Sequence, residues 1–449
     1  MKDHATVSDR GLRTLYPRLM RRSRNRDRAN QVPGEEPDGG MQESARSISW
    51  LAIGTIVLRG SQTLLLLYAA TKLSASDFGE FAVASSLVAM AALIAEGGVT
   101  QATTTTPDIA ESDEQRMSAR GLLVGVALGV AAVLAAFVLQ AKDGFDDIVG
   151  LTAVLATTIP ITGMAAVSVG RLQRQNCFAI LARLQLSSSA AAFALGFPLI
   201  AAGFEMQGLV VSSCLTAGLF AGAAILRREA RIMPRAGRVS QQVSRKSFPA
   251  LISNGLGVAS RRAGEFAAGV ILGPAAAGQV AISYRVLTVV TEVVLHSQER
   301  VFLAKIAQHK GSASEMRWRY ASRFQLRAMA IGTPIFLAAG AVAYILLPEI
   351  LNAQWASVGL LALLFSIAGA IQASYNLMYS SLFVLKSPFT ALLFQFVQVV
   401  TVVFALIAGY ETDGAIGGAV WYIISCAAIA LSSLIFRYKV SGQSINRLV

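Results

Sequence analysis

Long apolar runs alternate with short polar connections along almost the whole chain. The runs fall at roughly 48–70, 80–103, 120–140, 148–170, 178–202, 208–226, 248–272, 278–303, 326–347, 356–384, 389–409 and 415–436. About 20 apolar residues carry a helix across a hydrocarbon core, so each run predicts one span. Lipid leaves no partner for an open backbone, and helices satisfy their own N–H and C=O groups. The pattern therefore predicts an all-α polytopic membrane protein of about twelve transmembrane helices. Run 356–384 is longer than a span needs and predicts a tilted or protruding helix. Pro160, Pro198 and Pro334 lie inside runs, where the missing N–H predicts kinks.

Charge sets the orientation. The connections 1–47, 104–120, 171–184, 227–246, 305–327, 385–388 and 437–449 hold 32 Lys and Arg residues. The alternate connections, 71–80, 141–147, 203–207, 273–277, 348–355 and 410–414, hold only Lys72 and Lys142. The positive-inside rule places the first set, with both termini, in the cytoplasm. Composition agrees: 54% of residues are hydrophobic and 14% charged, against about 25% charged in soluble chains. The net charge of +13 does not point to nucleic acid, because the basic residues sit in short connections between spans. Residues 1–47 read as a basic, disordered cytoplasmic tail. Its stretch "RLMRRSRNRDR" suits anionic lipid headgroups, at about 1 kcal/mol per basic residue near the surface, and "EEPDGG" after it reads as a spacer. No short apolar segment with a cleavage site precedes Ile48, so no signal peptide is expected. Cys177, Cys214 and Cys426 lie in or beside apolar runs and read as packing residues; neither they nor His4, His296 and His309 have metal-ligand spacing.

The chain repeats itself. "LSASDFGEFAVA" from Leu73 aligns with "LGPAAAGQVAIS" from Leu272 at an offset of 199 residues, matching Leu73 to Leu272, Gly79 to Gly278 and Ala82 to Ala281. Each segment is the turn after the first span of a six-span block. Six is even, so both blocks enter from the same side. The repeat is then parallel, about an axis along the membrane normal, and such proteins hold substrate between their halves. The expected organisation is an N-lobe at 48–226, a basic cytoplasmic inter-lobe loop at 227–247, a C-lobe at 248–436 and a cytoplasmic tail at 437–449.

The same segments carry a family resemblance. "TKLSASDFGEFAVASSLVAMAALIAEGGVTQA" and its counterpart "VILGPAAAGQVAISYRVLTVV" resemble the polysaccharide (O-antigen or exopolysaccharide) flippases of the multidrug/oligosaccharidyl-lipid/polysaccharide exporter superfamily. The likeness spans about 47 to 437, two spans short of the fourteen-span lipid II flippases. It implies two six-helix lobes around a V-shaped cavity. It also implies export of an undecaprenyl-pyrophosphate-linked oligosaccharide across the bacterial inner membrane, for lipopolysaccharide or exopolysaccharide biosynthesis. A polysaccharide polymerase and chain-length proteins are then conceivable partners.

Some charges fall inside the runs. Arg59 lies near the middle of the first run, and Arg261 and Arg262 near the middle of the seventh, its counterpart in the repeat; Arg285 lies in the eighth. A charge at the bilayer centre costs from ~3 to more than 10 kcal/mol. Guanidinium stays charged and grips phosphate oxygens with a fork of donors, so these four arginines are the candidates for binding pyrophosphate. Glu96, Glu265, Glu292 and His296 are candidates for ion coupling, or counter-ions that neutralise the arginines in place. Glu265 is spaced to reach either Arg261 or Arg262 along a helix. Glu299 and Arg300, near the end of their run, are placed to snorkel.

Two other functions compete. A cation-coupled multidrug exporter of the same superfamily calls for an acidic cavity, whereas the first run carries Arg59 and no carboxylate. A membrane enzyme of polysaccharide assembly, such as a polymerase, calls for a large exit-side loop, and those loops are short. The sequence shows no Asp-x-Asp pair, Gly-rich phosphate loop or nucleotide motif, so neither enzymatic activity nor a cofactor is expected.

Overall fold

The computed structural model describes residues 60–445, apart from 106–108, 143, 176, 228–231, 238, 241–250, 253–254, 257–261, 296–297, 300–301, 303–313 and 386–387. The expected tail 1–47, with Arg59, Arg261, His296 and Arg300, lies outside the described residues. The described parts of the expected runs are helical apart from short breaks, and no strand occurs among the described residues. The first lobe comprises α1 (60–70), α2 (Ala75–Glu96), α3 (Val99–Thr105), α4 (Glu111–Gln140), α5 (Ile148–Ala156), α6 (Thr158–Arg174), α7 (Phe178–Ala201) and α8 (Glu205–Leu226). The second comprises α9 (262–272), α10 (Pro274–Val290), α11 (Ser314–Ile350), α12 (Val358–Gln372), α13 (Met378–Leu385) and α14 (Pro388–Ile445).

Among the described residues, nine helical stretches are long and apolar enough to cross a membrane. One of them, in α14, is two helices joined at Asp413 and Gly414, where the backbone leaves helical geometry. Runs 48–70 and 248–272 are described in part, and the described parts are helical. Leu123, Val126, Val130, Leu134 and Phe137 form the bare outer face of α4, as a span exposed to lipid requires.

Three runs are interrupted. Run 80–103 breaks at Gly97 and Gly98, between α2 and α3. Thr157 separates α5 from α6, where Pro160 supplies no N–H to close the turn. Pro198, by contrast, lies inside an unbroken α7 and Pro334 inside an unbroken α11. Run 356–384 is not one continuous helix: it breaks into α12 and α13 across 373–377. Buried Gln325 of α11 bridges the break. Its amide donates to the Ala373 carbonyl, and its Oε1 accepts from Leu377 N at 2.9 Å. A broken helix is tolerated at membrane depth when a neighbour satisfies the freed backbone in this way.

The repeat is visible in the packing. Ser74 caps α2, its Oγ accepting from Asp77 N. Gly273 precedes α10 with φ of 90°, and Pro274 occupies the first turn. The two helices cross where glycines let the backbones touch. A Cβ on Gly79 would stand 1.7 Å from the Pro274 carbonyl oxygen, and one on Gly278 2.3 Å from that of Ala75. Ala75 and Pro274, like Gly79 and Gly278, are related by the 199-residue offset. The contact is thus reciprocal, as a pseudo-two-fold axis through the crossing demands.

Around this crossing the turns of both lobes meet on one face, whose acidic residues include Asp77, Glu80, Asp146 and Asp147. Asn352 Nδ2 donates to Thr71 O at 3.3 Å, and Gln354 Nε2 to Leu73 O at 3.1 Å. Lys142 Nζ donates to Val270 O at 2.9 Å. Trp355 is fully buried, edge-on to Phe78 with ring centroids 5.7 Å apart. Glu80 receives the N–H groups of Asp146 and Asp147 at 3.1 and 3.0 Å, fixing the 141–147 turn. At the opposite, basic end, the described part of the inter-lobe loop lies on the first lobe. Ile232 is buried among Val99, Met117, Ala166 and Val167. Arg235 N donates to Gln115 O at 3.1 Å, and Ser240 N to Asp113 Oδ1 at 3.2 Å. Glu114 pairs there with Arg171 and Arg174.

Candidate substrate cavity

Behind the crossing, α2 and α10 diverge and leave space between the lobes. A larger cavity of about 300 Å³ and a smaller one of about 60 Å³ share Leu66, Phe81, Ser85, Arg262 and Arg285 in their walls. The first lobe supplies Leu66 from α1 and Phe81 and Ser85 from α2; the second supplies Arg262 from α9 and Arg285 from α10. Two of the four arginines expected from the sequence therefore face the same inter-lobe space.

Arg262 is held from both lobes. Its Nη1 donates to Glu265 Oε2 at 2.7 Å. Ser86, on α2 of the other lobe, donates its Oγ to that same oxygen at 2.8 Å. Ser86 is fully buried and Glu265 is 6% exposed, so the shared oxygen is screened from water and the two bonds are strong. The Arg262 side chain keeps 27% of its surface exposed. A guanidinium has five N–H groups; among the described residues Glu265 is its bonded partner, and the rest of the fork is left for the cavity. The helix itself is anchored from behind, where Tyr410 of α14 donates to Gly264 O at 3.0 Å. Ser283 similarly ties α10 to α12 through Val358 O at 3.0 Å, and Tyr284 stacks edge-on against Phe365 and Tyr422.

The remaining candidates are placed differently. Glu292 sits in a π-helical turn, Thr291–Leu295, that continues α10. Glu96, at the end of α2, is apart from the arginines. It lines a neighbouring first-lobe cavity of about 300 Å³ with Thr100, Gln173, Gln185 and Thr162, the last of which also borders the larger inter-lobe cavity. Glu299 bonds to Ser380 of α13. Sequence reasoning found the carboxylate beside Arg262 from its helical spacing, but missed Ser86, which is 179 residues away from Glu265. It also missed the hydroxyl groups on the opposite wall. The larger cavity is bounded there by Ser85, Thr158, Thr162, Ser189, Ser212 and Thr216, drawn from α2, α6, α7 and α8. Hydroxyls recurring inside apolar runs were the available signal.

Two helical lobes, pseudo-symmetric about a glycine crossing and with an arginine-bearing cavity between them, define a multi-pass membrane protein. The profile of the family described as "Polysaccharide biosynthesis protein" matches residues 70–360, and the chain belongs to that family. Its fold is that of the MOP superfamily. Similar solved structures include the lipid II flippase MurJ in an inward closed conformation, at TM-score 0.69 and 13% identity over 87% of both chains. An inward-facing multidrug resistance MATE family transporter of the MOP superfamily matches at TM-score 0.62 and 15% identity, over 86% of this chain and 95% of that one. A MOP superfamily transporter from Pyrococcus furiosus matches at TM-score 0.57 and 14% identity, over 89% and 96%. No curated protein sequence matches the chain.

Proposed function

We propose that this chain flips an undecaprenyl-pyrophosphate-linked oligosaccharide from the cytoplasmic to the periplasmic leaflet of a bacterial inner membrane, by alternating access, without an enzymatic step of its own. The observation that carries the reading is the pair Arg262 and Arg285 lining one inter-lobe cavity. A pyrophosphate diester brings two negative charges into a low-dielectric passage, and fixed guanidinium groups replace the water it gives up. Arg59 and Arg261, on corresponding runs of the repeat and within one helical turn of matching positions, join them in this reading. In the same reading, the basic face and both termini are cytoplasmic, and the acidic face is the periplasmic exit. Membership of the polysaccharide biosynthesis family supports a glycan cargo, destined for lipopolysaccharide or exopolysaccharide, and a polymerase and chain-length proteins that act on the delivered product. The basic tail would rest on anionic lipids. Glu265 acts as counter-ion and support for Arg262, while Glu292, with His296, and the separate Glu96 are the groups left for coupling to an ion.

A multidrug exporter is disfavoured by cationic side chains in the cavity, which repel cationic drugs. The test is glycan export in cells that depend on this chain. Arg262→Ala and Arg285→Ala should abolish export while the protein stays in the membrane, and Lys at either position should restore it only in part, having charge without the fork. Export at the normal level by both Ala variants would refute the assignment.

A further inference from the structure

The two walls of the larger cavity differ in hydrogen-bonding chemistry: the first-lobe wall is rich in acceptors and the second-lobe wall in donors. On the second-lobe side stand Arg262 and Arg285, and guanidinium donates only. On the first-lobe side, beside Ser61, Gln62 and Ser213, stand six hydroxyls that each donate to a carbonyl of their own helix. Ser85 bonds to Ala82 O at 2.9 Å, Thr158 to Leu155 O at 2.7 Å and Thr162 to Ile159 O at 3.0 Å. Ser189 bonds to Gln185 O at 2.8 Å, Ser212 to Leu209 O at 2.9 Å and Thr216 to Ser212 O at 2.8 Å.

A hydroxyl has one proton and two lone pairs. With the proton committed to its own helix, what it presents to the cavity is an acceptor. Such back-bonding is the ordinary way for Ser and Thr to sit in a membrane helix, and singly it signifies nothing. Here the groups come from four helices and line one space of about 300 Å³. The outer face of α4, by contrast, is bare aliphatic and aromatic surface. The favoured occupant therefore has an anionic, acceptor-only end toward α9 and α10. Its other end is rich in O–H and N–H donors and lies toward α6, α7 and α8.

We propose that the first-lobe wall is a sugar subsite, accepting hydroxyl and acetamido N–H groups of the first saccharides, while the second-lobe wall holds the pyrophosphate. The substrate then crosses with a fixed orientation relative to the two lobes. This rests on the flippase reading and adds to it a second, separable contact.

The experiment measures binding by the purified full chain in lipid nanodiscs. The probes are undecaprenyl pyrophosphate and undecaprenyl pyrophosphate bearing one N-acetylhexosamine. The variant is Thr162→Val/Thr216→Val, which keeps side-chain shape, removes both acceptors and leaves mid-helix carbonyls that retain their backbone bonds. Thermal unfolding of the variant should match wild type. Wild type should bind the sugar-bearing probe more tightly than the bare one. The double variant should lose about tenfold in affinity for the sugar-bearing probe and none for undecaprenyl pyrophosphate, whereas Arg285→Gln should weaken both. Equal affinity of wild type for the two probes, or an equal or absent loss in the double variant, overturns the sugar subsite and leaves the pyrophosphate reading standing. Failure of wild type to bind either probe overturns both.

Discussion

Removing the Ser86 hydroxyl isolates one inter-lobe bond whose size can be worked out. Ser86 belongs to the first lobe and Glu265 to the second; their 2.8 Å bond is buried and ends on an oxygen that also pairs with Arg262. A hydrogen bond to a charged group contributes about 1.5–3 kcal/mol. It exists only while the lobes are together on the acidic side, so its loss acts on the equilibrium between closed and open states. Ser86→Ala should shift that equilibrium toward opening by about 10- to 150-fold. Glu265→Gln should behave differently: its carbonyl oxygen still accepts from Ser86, but Arg262 loses its balancing charge. The assay is a pulsed electron-spin distance measurement between labels at Lys72→Cys and Glu349→Cys, in a background lacking Cys177, Cys214 and Cys426. Both label sites are exposed, one on each lobe near the acidic face. Ser86→Ala should broaden the distribution toward longer distances. A distribution identical to that of the parent would refute the idea that this bond holds the lobes closed.

The crossing of α2 and α10 makes a second demand. Gly79→Ala and Gly278→Ala each drive a methyl into a facing backbone carbonyl, so both should cost at least about 1–3 kcal/mol and give the same widened label distances, because the contact is reciprocal; a normal distribution in either would remove the crossing from the closed state. Orientation is checked with a membrane-impermeant thiol reagent on intact cells: Asp143→Cys should be labelled from outside and Arg235→Cys only after permeabilisation, and the reverse would invert the topology.

The spans were legible because membrane helices are chosen by apolar length, and the described parts of the runs are helical even where they break. The glycine crossing was half legible: the repeat paired Gly79 with Gly278, but only the packing shows that the two touch. The break after Gln372 was not legible, because it depends on Gln325 from another helix, and no local pattern encodes a bond across 48 residues. The cavity divides in the same way. Arg262 and Arg285 stood out as charges in apolar runs, and Glu265 as a helical neighbour. Ser86 and the six cavity hydroxyls look like the small polar residues that any membrane helix tolerates. Their meaning comes from facing one space. Glu96 had the same sequence signature as Glu265, yet α2 carries it to a different cavity.

The account stands most directly on transbilayer movement of a pyrophosphate-linked glycolipid. Purified chain in sealed liposomes, loaded with a fluorescent undecaprenyl-pyrophosphate saccharide, allows movement to be read as a change in the fraction open to an external sugar-modifying enzyme. Wild type should move the lipid, Arg262→Ala and Arg285→Ala should fall to the protein-free rate, and Lys at either position should lie between. A wild-type chain that leaves the glycolipid in place, or Ala variants that move it as fast as wild type, would contradict the claim that this arginine-bearing cavity carries a pyrophosphate-linked saccharide.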